Sequence, residues 1–250
     1  MDIINIVIVC FLSFFVSVFS ISVGGTSLIT VPLLITLGMA SRNAVATNMF
    51  ALIFLSLSGA VGFRKEIKKE YHKRLVLFSV LTVFGSVIGA YIVLALNEDI
   101  LRKVIGAMII VISGTLFLKK ELGLKESREE ISMLKFVFGA VSVFALGVYG
   151  GFFSGGYVTL LTLLFVLVFG LNFLQAVSVT KVFNVFSSLA ACVIFYYHGL
   201  VDFSIGIPLA LSMSLGAYLG TMLAIRKGSL WIKYAFVIAA VLLAAQLLLF

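Results

Sequence analysis

The chain has 250 residues, of which 62% are hydrophobic and 11% charged, with a mean hydropathy of +1.25. A soluble domain carries about 25% charged residues, and a chain this short has too little interior to hide the excess apolar surface, so soluble, disordered, collagenous and disulfide-scaffold classes are excluded and an integral membrane protein remains. The formal net charge of +8 is not a nucleic-acid signal, because the basic residues sit in short gaps between apolar runs, where anionic lipid headgroups are the partners they fit.

An apolar run at 3–23 opens the sequence. It lacks the basic flank of a signal peptide and reads as a structural span. Gly24-Gly25-Thr26-Ser27 interrupts it, and a run of only twelve residues, 28–39, follows. At 1.5 Å per residue such a helix reaches about 18 Å, short of a hydrocarbon core of about 30 Å. It reads as a half-helix or re-entrant element, tolerated where protein or a polar cavity surrounds it. Runs at 41–63, 75–96 and 104–118 come next, the first two separated by 64–74 (RKEIKKEYHKR), and 119–135 forms a second charged gap. The later runs are 136–153, a short 158–169 after Ser154-Gly155-Gly156-Tyr157, then 171–197, 204–225 and 234–250. The expected fold is an all-α polytopic transmembrane bundle of about eight spans plus two half-helices.

The chain repeats itself at an offset of about 131 residues. Gly24-Gly25 falls on Gly155-Gly156, and Gly85 and Gly89 fall on Gly216 and Gly220. With one or two inserted residues, Gly38 falls on Gly170, Ala44-Val45 on Ala176-Val177, and Thr47 on Thr180. The expected organisation is a first transmembrane repeat over 1–118, a charged linker over 119–135 and a second repeat over 136–250. Repeated halves with glycine-interrupted short segments at matching positions point to a transporter with its site at those breaks. A duplicated bundle that transports nothing, and a membrane-embedded enzyme, are the rival classes.

Basic residues set the orientation. Stretch 64–74 has six, whereas its repeat-mate 198–203 has none. Placing 64–74, 119–135 and 226–233 in the cytoplasm puts 14 basic residues inside and two outside, against 11 and five for parallel halves. The expectation is an inverted repeat in the cytoplasmic membrane with both termini outside.

Lys181 is the residue most in need of a reason. It lies about ten residues inside the run 171–197, where a charge costs about 2.5–3.5 kcal/mol on insertion scales. Asn184 and Ser188 share its helical face, and Thr180, Asn184 and Ser187 form an overlapping stripe. One positive charge in a polar seam suits a small anion, although a lysine satisfied by carbonyls freed at the glycine break is the structural alternative. The matching helix offers Thr47, Asn48 and Ser58, with interhelical hydrogen bonding as their plainer role. The glycine pairs with Thr26 could start half-helices whose free N–H groups and positive dipole ends bind an anion, or could only permit close packing. Gly85/Gly89 and Gly216/Gly220 have the small-xxx-small spacing of packing contacts. All ten Asp/Glu lie outside the run centres, the two His are apart, and Cys10 and Cys192 have no C-x-x-C spacing. No cofactor, metal or catalytic residue is expected, and the protein is not expected to be an enzyme.

The stretch GGTSLITVPLLITLGMASRNAVATN (24–48) resembles the first signature of the TauE/SafE sulfite exporter family. GVYGGFFSGGYVTLL (147–161) with AVSVTKVFNVFSSLAACVIFYYHGLVD (176–202) resembles the second. The resemblance implies an inner-membrane permease for sulfite, thiosulfate, sulfonates or a related small organic acid. It would assign function to Gly24, Gly25, Asn48, Gly155, Gly156, Lys181 and Asn184. Two features depart from the pattern: a shorter first glycine run, and Met49 where some members carry a basic residue. The candidate substrate-binding set is therefore Gly24, Gly25, Thr26, Thr47, Asn48, Gly155, Gly156, Thr180, Lys181, Asn184 and Ser187. Export is the expected direction, because no buried carboxylate offers ion coupling and an inside-negative potential drives anions outward.

Overall fold

A computed structural model describes residues 2–66, 72–117 and 132–227. The described residues form helices and connecting turns, with no strand. The helices are α1 (Ile3–Val23), α2 (Ser27–Thr36), α3 (Ser41–Gly62), a 3-10 turn at Arg64–Glu66, α4 (His72–Ala95), α5 (Glu98–Phe117), α6 (Met133–Phe153), α7 (Tyr157–Phe169), α8 (Phe173–Tyr197) and α9 (Phe203–Lys227).

Six of these helices are long and apolar enough to span a membrane: α1, α3, α4, α6, α8 and α9. The two short apolar helices, α2 and α7, fall where the glycine pairs predicted half-helices. Of the eight expected spans, 234–250 lies outside the described residues, as do most of the 119–135 linker and residues 67–71 of the basic stretch. The run predicted over 104–118 differs in its start. It belongs to α5, which begins six residues earlier because the Asn97 side chain accepts the Ile100 N–H at 2.8 Å and Glu98 and Asp99 complement the helix dipole in the first turn.

The breaks are made by backbone conformation. Gly24, Gly25 and Gly156 have φ of 85°, 82° and 80°, in the left-handed region that glycine enters without a Cβ penalty. α8 starts at a capping box, in which Asn172 accepts the Gln175 N–H at 2.9 Å and Gln175 accepts the Asn172 N–H at 3.1 Å.

Packing follows the predicted repeat in an exchanged pattern. Gly216 and Gly220 of α9 lie on the carbonyls of Phe14 and Val18 of α1, and Ser212 donates to the Cys10 carbonyl. Their counterparts, Gly85 and Gly89 of α4, lie on the backbone of Phe144 and Val148 of α6, while Gly147 and Gly151 lie on Thr82 and Ser86. In both pairs residue numbers climb together, so α1 runs parallel to α9 and α4 parallel to α6. The small-xxx-small glycines are packing contacts, as expected, but they join helices of opposite predicted halves. α3 also runs parallel to α9, with Ser58 donating to the Ser214 carbonyl at 3.1 Å and Gly62 against Thr221.

α3 and α8 pack in the opposite sense. Asn43 donates to the Leu200 carbonyl just beyond α8 at 3.1 Å, Ser56 pairs with Asn184, and Gly59 lies against Lys181. As numbers rise on α3 they fall on α8, so these two helices are antiparallel.

Candidate functional site

The two glycine breaks lie against each other. A Cβ on Gly24 would meet the Thr159 N at 2.9 Å and the Val158 Cβ at 3.3 Å, in the first turn of α7. A Cβ on Gly155 would meet the Leu28 side chain at 2.9 Å, in the first turn of α2. Each half-helix therefore begins beside the other's break. The Ser20 and Thr26 hydroxyls pair at 2.6 Å across the first break, and the Tyr149 hydroxyl donates to the Gly155 carbonyl at the second. The positive ends of two helix dipoles converge here, each equivalent to roughly +0.5 charge.

Asn48 is fixed to the first turns of α2. Its Oδ1 accepts from the Thr30 hydroxyl at 2.6 Å, and its Nδ2 donates to Ser27 Oγ at 2.8 Å. Both bonds are buried, so Asn48 holds the half-helix against α3.

Lys181 is 1% exposed and is the one charged side chain among the buried described residues. Its stem lies on Gly59 of α3, where a Cβ would come within 3.3 Å of its Cγ and 2.8 Å of the Ile21 methyl on α1. Glycine at 59 thus makes room for the lysine stem near the end of α1. No carboxylate pairs with the ammonium among the described residues, whose ion pair is Arg42–Glu98 at 3.9 Å. One turn on, Asn184 donates to Ser56 Oγ at 2.6 Å. Its Oδ1 receives longer contacts of 3.5 Å from Ser154 and Ser188. This face of α8 therefore spans from the end of α1 to the second break.

The other nominated residues fall elsewhere. Thr180 and Ser187 lie on the neighbouring stripe of α8: Thr180 donates to the Val177 carbonyl at 2.9 Å and lies 3.4 Å from the Thr162 hydroxyl, and Ser187 pairs with Ser86 at 2.6 Å. Beside Ser187 lie the buried hydroxyls of Tyr157 and Thr82. Thr47 accepts the Asp202 N–H at 3.0 Å, tying the start of α9 to α3. Ser58 shares that α9-facing side and does not reach the α3–α8 seam. Asn48 and Lys181, equivalent in the repeat, are not neighbours: Gly59 marks the level of Lys181, and Asn48 is eleven residues, or about 16 Å, away along α3. Ser56 was missed. Its signal was the distance from Asn184 to the repeat-mate helix, which needs the antiparallel register to be seen.

Among the described residues no group of three or more His, Cys, Asp or Glu could hold a metal ion. Among the described residues, six helices long and apolar enough to cross a membrane, two short half-helices whose breaks meet inside the bundle, and a buried lysine fit a multi-pass membrane transporter. Residues 9–247 match the family model for the sulfite exporter TauE/SafE, and the chain belongs to that family. It is 30% identical to the probable membrane transporter protein YfcA of Escherichia coli over 226 residues, 90% of this chain and 82% of the relative. It is 29% identical to a probable membrane transporter protein of Haemophilus influenzae over 225 residues, covering 90% and 87% of the two chains. No solved structure matches the chain. The family and these relatives are transporters and not enzymes, as the sequence suggested.

Proposed function

We propose that the protein moves a small anion, of the class of sulfite, thiosulfate, sulfonates or small organic acids, across the cytoplasmic membrane. The observation that carries this reading is Lys181, a buried lysine without a carboxylate partner among the described residues, one turn from Asn184, which contacts Ser154 at the second break. An anion supplies the missing counter-charge, and oriented N–H groups replace its water. In this reading Gly24, Gly25, Thr26, Gly155 and Gly156 shape the two termini, and Lys181 and Asn184 face the anion with Ser56 behind them. Asn48 positions α2.

The antiparallel register of α3 and α8 supports inverted halves. The basic stretches 64–74 and 119–135 then face the cytoplasm and bind anionic headgroups. Export follows as the direction, since the span interiors among the described residues hold no carboxylate for ion coupling and the potential contributes about 2.3 kcal/mol per charge per 100 mV. Purified protein in liposomes, assayed for flux of sulfite, thiosulfate, methanesulfonate and acetate under an imposed potential, tests the reading. Saturable flux of one or more anions is expected. Impermeability to all of them, or accumulation against the potential, overturns it.

A further inference from the structure

The packing divides the described helices differently from the sequence. One group is α1, α2, α3 and α9, and the other is α6, α7, α8 and α4. Each takes three helices from one predicted half and one from the other. Within each group the contacts are of a kind that resists sliding. Gly216 and Gly220 bring α9 onto the carbonyls of Phe14 and Val18, and Gly85 and Gly89 bring α4 onto the backbone of α6. Backbone atoms in contact have no rotamer with which to yield, so displacement must separate whole helices. The second group also has its own aromatic core, in which Phe78 of α4 meets Phe165 and Phe169 of α7, and Phe165 stacks on Phe183 of α8.

The groups meet differently. Their main joint is the antiparallel α3–α8 seam, closed by side chains: the Asn184–Ser56 bond and the Lys181 stem on Gly59. Beside it the Gly24 and Gly155 breaks cross from one group to the other. The side-chain contacts of the seam can exchange partners, whereas Gly24 meets the Thr159 backbone at the breaks, a point where the groups turn against each other without sliding. One chain connection between the groups passes through Gly199, at φ 67° with open space around it. Leu200 is held from both sides, its N–H donating to the Phe195 carbonyl of α8 and its own carbonyl accepting from Asn43 of α3, and Thr47 accepts the Asp202 N–H, so this turn ties the two groups at one end of the seam.

We propose that the moving units of this transporter are these two exchanged four-helix groups, rocking about the α3–α8 seam, and not its two sequence halves. The proposal rests on the transport reading above for its purpose, but the partition can be measured by itself. Spin labels would be placed at exposed positions of the full chain in nanodiscs, on a Cys10→Ser, Cys192→Ala background. Ile4→Cys with Phe203→Cys, and Val76→Cys with Leu134→Cys, each join opposite sequence halves within one group. Ile4→Cys with Tyr197→Cys, and Val76→Cys with Ile225→Cys, span the groups at the two ends of the seam. The first two pairs should give one unchanging distance with and without sulfite. The last two should each show two populations that shift in opposite senses. Movement within either of the first two pairs, or four fixed distances, overturns the partition. Reciprocal shifts in a protein that passes no tested anion uphold the partition and remove the substrate reading. Sulfite flux with fixed distances does the reverse.

Discussion

The side-chain amide of Asn184 donates a 2.6 Å hydrogen bond to the hydroxyl of Ser56, 128 residues earlier in the chain, and both groups are buried. This bond pins the antiparallel seam between α3 and α8 at its middle. Truncating either partner leaves the other unpaired in an apolar surround, at about 1–3 kcal/mol. A double-mutant cycle of Asn184→Ala and Ser56→Ala should give a coupling of about 1 kcal/mol, the range seen for hydrogen bonds between membrane helices. Asn184→Ala should also slow anion flux about tenfold, whereas Ser56→Ala should slow it less, because Asn184 can still face the anion. Equal flux in both single variants would take Asn184 out of contact with the substrate.

Close packing and backbone conformation make opposite demands on two glycines. A Cβ at Gly89 would press on the Val148 carbonyl, while one at Gly38 would meet nothing within 4 Å. Gly38 instead has φ 94°, which costs an alanine roughly 1 kcal/mol. Gly89→Ala should therefore lower the thermal midpoint in detergent by clearly more than Gly38→Ala, with an overpacking cost of about 2–3 kcal/mol. The same ranking should hold for Gly220→Ala, whose Cβ would press on the Val18 carbonyl. A mild Gly89→Ala variant would mean that α4 and α6 are free to separate.

Much of the site could be read from the sequence where the signal was local. The glycine pairs, the short apolar runs after them and the misplaced charge at Lys181 each stand out within a window of a few residues. What stayed hidden depended on helix direction. Thr47 and Ser58 share a face of α3, as the spacing indicated, but that face meets α9. Ser56, on another side of the helix, is the residue that reaches Asn184. Asn48 and Lys181 both belong to the predicted site, yet the antiparallel register puts them at different levels of the seam. The start of α5 was hidden for another reason: hydropathy stops at the charges of Glu98 and Asp99, whereas the Asn97 cap begins the helix before them.

Orientation gives a prediction independent of transport. The His198–Asp202 turn and the start of α3 lie at one end of the bundle, linked through Asn43 and Thr47, and the basic stretch 64–74 follows the other end of α3. A membrane-impermeant maleimide applied to intact cells should modify His198→Cys and spare Lys69→Cys, with the pattern reversed in inside-out vesicles. External labelling of Lys69→Cys would invert the topology.

Lys181 carries the strongest prediction. If its ammonium offsets the charge of a dehydrated anion, Lys181→Met should reduce flux at least about 100-fold, a loss of about 2.7 kcal/mol, while leaving the bundle folded. The variant should be at least as stable as the native chain, because a charge in the span costs about 2.5–3.5 kcal/mol to place there and no carboxylate among the described residues repays that cost. Methionine fills the lysine stem's place on Gly59 and Ile21, so no cavity offsets the gain. Lys181→Arg should keep partial activity, because the planar guanidinium is wider than an ammonium and must fit a slot shaped by Gly59. A purely structural lysine gives the opposite pattern: Lys181→Met would lose its fold, and whatever protein survived would transport normally. Expression, thermal midpoint and sulfite flux measured on the same preparations separate the two. A stably folded Lys181→Met protein with native flux would move the anion site away from this residue.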